Sequence, residues 1–204
     1  RMLLNSTSNL FPDGLANSSG LVGKNLMFHP YASIQGVFDD ALDGYAGPAK
    51  AIRSQQFYET DPARGFVRGY TLEITRGMGP VRTVQTAMAH DRIPWGDGHH
   101  DAARDMINRM TGMVAVCEDL PEEHNRVTLD PELKDGNSIP APKVSYTLSD
   151  NTRKMMDHGI ARATEILTAA GAKDILSEAP IRWGGWHLMG TARMGKDPAT
   201  SVVN

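Results

Sequence analysis

The densest cluster of residues able to do chemistry runs Trp183-Gly184-Gly185-Trp186-His187-Leu188-Met189-Gly190-Thr191-Ala192-Arg193-Met194-Gly195-Lys196-Asp197-Pro198. Four glycines fall between positions 184 and 195, which implies a backbone forced close to a neighbour or into left-handed conformations. Trp183 and Trp186 offer rigid apolar walls, and Trp186 is a candidate substrate contact. His187 stands among them as the group able to change charge near neutrality. An imidazole in a walled pocket suits general-base work on an alcohol. Thr191 and Arg193 add donors for an anion or an intermediate. The competing account of His187 is a satisfied core histidine in a glycine-rich turn.

The remaining candidates have plainer readings beside them. Phe66-Val67-Arg68-Gly69-Tyr70-Thr71-Leu72-Glu73 would line a sugar pocket, with Tyr70 as a stacking face and Arg68 or Glu73 as polar contacts; an ordinary strand is the alternative. His99, His100 and Asp101, with His90, suggest a metal. Adjacent histidines point about 100° apart on a helix, however, and no His-x-x-x-His pair supports them, so no metal is expected. Glu118, Asp119, Glu122 and Glu123 read as a solvated acidic loop. No Gly-x-Ser-x-Gly elbow supports serine hydrolysis, and no Gly-x-Gly-x-x-Gly turn follows a strand to cradle a dinucleotide.

These residues need a scaffold. Tyr31 to Phe38 alternates as a strand, and Phe66 to Arg76 forms another, rich in β-branched and aromatic types. Residues 39–65 carry no assignable pattern. Gly77 to Gly98, with several Gly and Pro, reads as a loop or lid. Apolar residues at helical spacing predict a helix from His99 to Met110. Strands are expected at Thr111–Glu118, Asn125–Asp130 and Lys143–Leu148, with a turn over 131–137. Ser149 or Asp150 caps a long helix whose face is Met156, Ile160, Ala163, Leu167 and Ala170, and Gly171 ends it. Antiparallel strands with short links followed by a covering helix predict an α+β fold.

Composition bounds the rest. The chain has 204 residues, 40% apolar and 22% charged, enough for a sizeable core. Eleven methionines supply much of the apolar volume and read as core packing. A formal charge of −3 gives no reason to expect nucleic acid, and no apolar stretch reaches membrane-spanning length. The single cysteine, Cys117, lies in an apolar run as a small hydrophobe and excludes an intrachain disulfide. Nothing points to an oxidising compartment, so the cytoplasm is expected, with the periplasm open. Both ends stop within patterned segments and are expected to continue in a larger protein.

The motif His-x-x-Gly-Thr-x-Arg-Met-Gly from His187 to Gly195, with Asp197-Pro198 and Ser201-Val202-Val203 after it, resembles the carboxy-terminal active-site motif of the glucose–methanol–choline (GMC) oxidoreductases. It is similar to the version in the pyranose oxidase and gluconate or fructose dehydrogenase branches. Arg1-Met2-Leu3-Leu4-Asn5-Ser6 resembles the tail of the family's second signature, with Thr7 where a Gly is usual. Gly20 to Met27 and His29-Pro30 resemble the segment leaving the flavin domain, and Asn125 to Asp130, Asp135 and the long helix resemble the substrate domain.

The resemblance implies oxidation of a CH–OH group of a sugar, polyol or other alcohol, with hydride passing to N5 of flavin adenine dinucleotide (FAD). His187 would accept the hydroxyl proton, and Gly190 and Thr191 would touch the flavin. It also implies a second catalytic residue beyond Asn204 and a separate FAD-binding half, without which this piece is expected to bind flavin weakly and not turn over. The implied layout is 1–28 as the tail of a flavin-domain segment, 29–180 as the substrate domain and 181–204 as the catalytic-histidine segment. Two other classes stay open: a non-catalytic carbohydrate-binding module, and a structural fragment.

Overall fold

The computed structural model describes residues 1–44, 46–48, 50–181 and 187–204. They form two compact units, Pro30–Glu118 with Asp150–Gly184, and Arg1–His29 with Asp119–Ser149 and Gly185–Asn204. The stretch at 119–149, expected within a continuous 29–180 domain, groups by its contacts with the two ends of the chain.

The first unit is built on a five-stranded antiparallel sheet in the order β2-β3-β4-β1-β7, from β1 (Tyr31–Val37), β2 (Lys50–Ser54), β3 (Tyr70–Thr75), β4 (Met110–Cys117) and β7 (Asp174–Glu178). Register decides which residues are core. Ile34 lies opposite Met113 and Ala32 opposite Ala115, while Leu72 also faces Ala115 and Tyr70 faces Cys117. These residues share one face, and all of them are buried. The long helix α4 (Asp150–Ala169) contacts β1, β3 and β4 and brings Met155, Met156, Ala163 and Leu167, also buried. Burial of Met155, Met156 and Leu167 contributes about 1.5–3 kcal/mol each, and the lone methyl of Ala163 less. Gly159 of α4 permits the close approach: a Cβ there would come within 2.9 Å of the Ala115 methyl.

Strands β1, β3 and β4 and helix α4 fall where the sequence predicts them, and the α+β class holds. Helix α3 (His99–Met106) is shorter than expected, because Met110 already belongs to β4. The Gly77–Gly98 loop is corrected: it contains helix α2 (Pro80–Ala89). Gly79 is its N-cap and Pro80 opens its first turn, where a missing N–H costs nothing. The Thr83 hydroxyl donates to the Met78 carbonyl. Strand β2 and a short 3-10 turn, Pro62–Arg64, occupy the stretch left unassigned.

In the second unit, β5 (Arg126–Lys134) pairs antiparallel with β6 (Pro140–Ser145), and a short helix, α1 (Met2–Asn5), touches β5. The expected turn at 131–137 is therefore shifted. The strand runs through Pro131, and Asp135 makes the turn by accepting from Asn137 N and Ile139 N. A two-stranded ribbon tolerates Pro131, Pro140 and Pro142, because each strand has an edge needing no donor. Among the described residues no helix is long and apolar enough to cross a membrane.

Candidate active site

The His187 segment is held by backbone pairing within the second unit. Residues 23–27 run between two neighbours. On one side Val127 N donates to Gly23 O at 2.7 Å and Leu26 N to Asn125 O at 2.8 Å. On the other, Gly23 N donates to Thr191 O at 2.8 Å, while Met27 and Met189 exchange a reciprocal pair at 2.9 and 3.1 Å. The approach is too close for side chains at two points. A Cβ on Gly190, at φ +93°, would overlap the Asn25 carbonyl oxygen, and one on Gly23, at φ +87°, would overlap that of Val127. Gly190 is thus required by the backbone crossing itself.

Two buried polar side chains complete the support. Asn125 accepts from Thr147 N at 2.7 Å and donates to Thr147 O at 3.1 Å, tying the start of β5 to the residue pair after β6. Asp119 accepts the Tyr146 hydroxyl at 2.7 Å, and Tyr146 meets Phe28 edge-on at 4.7 Å between centroids. Phe28 precedes His29, so this contact fixes where His29 leaves the chain. Asp119 is only 8% exposed, which corrects its reading as part of a solvated acidic loop.

His29 and His187 then meet. Their Nδ1 atoms are 2.8 Å apart, and the rings cross at 79° with centroids 5.0 Å apart. His187 has φ +56° and an exposed ring, with exposed Leu188 and Met189 beside it. It is not a closed-core histidine. An Nδ1···Nδ1 bond holds one proton between two neutral rings, so one ring donates and the other accepts. Beyond the histidine, the chain turns back on itself: Val202 N and Val203 N both reach Arg193 O, and Gly195 N reaches Val203 O.

The candidates separate. His187, Gly190 and Thr191 share one segment. Trp186, with Trp183, lies outside the described residues. Tyr70 is 1% exposed, with its hydroxyl 2.7 Å from His158 Nδ1; it packs under α4 and presents no stacking face, which corrects that reading. Arg68 is exposed in a left-handed turn, where its N–H donates to the Thr60 hydroxyl. Among the described residues, no three His, Cys, Asp or Glu side chains cluster as a metal would need. His29 escaped reading from spacing because its partner comes from a distant segment.

The GMC oxidoreductase family model matches residues 121–204. The chain is similar to 2-methyl-1,2-propanediol dehydrogenase of Mycolicibacterium austroafricanum, at 38% identity over 100% of this chain and 38% of that protein. It is also similar to the fructose dehydrogenase large subunit of Gluconobacter japonicus, at 27% over 100% of this chain and 37% of that protein. The gluconate 2-dehydrogenase flavoprotein of Pantoea cypripedii is 25% identical over 92% of this chain and 32% of that protein. The chain thus spans only about a third of the length of these relatives. The family and the relative named as a flavoprotein imply FAD in the full-length proteins. With the His187–Gly195 motif inside the matched region, residues 121–204 belong to the GMC oxidoreductase family, in its carboxy-terminal part.

Proposed function

We propose that this chain supplies the substrate side and the proton acceptor of an FAD-dependent oxidation of a CH–OH group in a sugar, polyol or other alcohol. The observation that carries the reading is the exposed His187, set in its motif and bonded through Nδ1 to His29. The tautomers follow from that bond. For His187 to act as a base it donates its Nδ1 proton to His29 Nδ1, and its lone pair then lies on Nε2. The alcohol O–H bond breaks toward that Nε2, and the imidazolium formed keeps its Nδ1–H on a neutral His29. His29 positions His187 and stabilises its charged form without touching the alcohol.

FAD, when bound, would take up the hydride from the carbinol carbon. The described residues fit the edge of its flat ring system: apolar Leu188 and Met189 are exposed beside His187, with Thr191 two residues on. The space at Gly190 is filled by the Asn25 backbone, so that glycine shapes the segment more than it yields room for a ligand. The pyrophosphate would be held by the rest of the full-length protein, since this chain has no Gly-x-Gly-x-x-Gly turn. The relatives' names, a diol, a ketose and an aldonate, support a hydroxyl-rich substrate. Anaerobic stopped-flow reduction of the flavin by alcohol in the full-length protein, with and without His187→Ala, tests the reading. An unchanged rate in the folded, flavin-loaded variant removes His187 from the mechanism.

A further inference from the structure

Backbone pairing alone does not bring the rings of His29 and His187 together. Met27 and Met189 exchange their hydrogen bonds in the antiparallel sense. Two residues further along that register, His29 would stand opposite His187, with both side chains on one face. His187 leaves the register, however, because its φ of +56° lies outside the β region. The support for His29 must then come from outside the ladder, and Asp119 supplies it. Asp119 is 8% exposed. Its Oδ2 accepts the Tyr146 hydroxyl at 2.7 Å and, more weakly, Phe28 N at 3.4 Å. Its Oδ1 accepts Leu120 N at 3.1 Å. Tyr146 in turn meets the Phe28 ring edge-on. Phe28 is thus held twice, through its amide by the carboxylate and through its ring by the phenol bonded to that carboxylate.

The arrangement calls for a carboxylate and not merely a polar side chain. Both oxygens of Asp119 accept, and an ionised carboxylate offers acceptors alone. An amide in its place would carry one oxygen and one NH2. Either orientation of that amide sets a donor against Leu120 N–H or against Phe28 N–H. His29 is the residue after Phe28, so any shift of Phe28 passes to the imidazole. A displacement of about 1 Å in a positioned group is enough to cost a large part of a rate. We propose that Asp119, acting through Tyr146 and Phe28, is a positioning residue for the proton acceptor. It holds His29 Nδ1 at 2.8 Å from His187 Nδ1 and thereby keeps the His187 lone pair on Nε2. All of these residues belong to one compact unit. The effect on rate rests on the proposed role of His187; the placement of the rings does not.

The test uses the full-length protein labelled with 15N-histidine, in which two-bond 15N–1H correlation spectra report the tautomer of each ring from its carbon-bound protons. His29→Ala and His187→Ala assign the two rings. Asp119→Asn is expected to shift both sets of signals and to move His187 towards the tautomer mixture of a free imidazole. Tyr146→Phe keeps the ring against Phe28 and removes the hydroxyl, so it shifts the same signals by less, and it serves where Asp119→Asn fails to fold. In anaerobic stopped-flow, Asp119→Asn slows flavin reduction by about as much as the loss of His29, roughly tenfold, with KM little changed. Added to His29→Ala, it slows reduction no further. Unchanged His29 and His187 signals in both variants overturn the inference, as does a slowing that adds in full to that of His29→Ala. A normal reduction rate in His187→Ala removes the base, and the ring signals then decide the role of Asp119 by themselves.

Discussion

Two histidines, one in each unit, use the same imidazole for opposite ends. His158 on α4 sits among Phe57, Phe66 and Tyr70, at 5.3, 5.5 and 5.8 Å between centroids, with Nδ1 against the Tyr70 hydroxyl. Burial pushes its pKa below the usual histidine value, assisted by Arg162 and Arg64. Burial likewise raises that of Tyr70. The pair is thereby kept neutral, and its hydrogen bond closes a packed cluster. His187 has its ring exposed and its Nδ1 on a second histidine. In the proposed mechanism that bond sets the tautomer of His187 and supports the charge the ring takes on. A histidine near aromatic residues is thus no guide to chemistry; what the other ring nitrogen faces is the better one.

The contrast breaks most visibly at His187. In the full-length protein, His187→Ala is expected to slow flavin reduction by roughly two to four orders of magnitude, the usual range for a lost general base. Substrate affinity should change far less, and the denaturant midpoint should hold. His158→Ala should do the reverse. It removes a packed ring and strands the Tyr70 hydroxyl, for a loss of about 1–3 kcal/mol in chemical denaturation, with flavin reduction near normal. A collapse of reduction in folded His158→Ala would erase the distinction.

His29 sharpens it. His29→Ala should lower the reduction rate roughly tenfold, by the loss of one charge-assisted hydrogen bond, and His29→Gln should recover part of this by offering an amide oxygen to His187 Nδ1–H. In a double-mutant cycle with His187→Ala the effects should not add. Additivity would mean that His29 acts elsewhere. The smallest effect is in pH. Because the His158 pKa is lowered on folding, the unfolded chain takes up its proton first as pH drops below about 6.5. Its contribution is complete above that value and is lost as pH falls through the folded pKa. Stability should decline on that limb, and His158→Leu should flatten it.

Much of the scaffold was legible because it is periodic. The alternation of β1 and the helical spacing of Met156, Ala163 and Leu167 each report a buried face directly. Alternation does not say which face is buried, so Tyr70 was misread: only its register with Cys117 places it under α4. Strand β7 was missed because five residues, Asp174–Glu178, carry little pattern and acquire strand form from distant β1. Helix α2 was missed because Gly79 and Pro80, signs of a loop in isolation, also begin helices. At the candidate site, the motif singles out His187. His29 and Asp119 were not legible, since their roles exist only once separate segments meet.

The reciprocal pairing of Met27 with Met189 has a consequence for how the protein is made. His29 and His187 are 158 residues apart, and at about 5–20 residues per second a ribosome needs roughly 8–30 s to pass from one to the other. Throughout that interval residues 23–27 have emerged, while the carbonyl and amide groups of 189–191 that complete them do not yet exist. Such an unpaired edge is a template for the wrong strand, including that of a neighbouring nascent copy. Residues 30–118, which carry four of the five strands of their sheet, are synthesised within the same window. Residues 189–191 close the edge that residues 23–27 open. A ribosome stalled before Met189 would display that edge for as long as the stall lasts, making the nascent chain a client for chaperones that bind exposed strands.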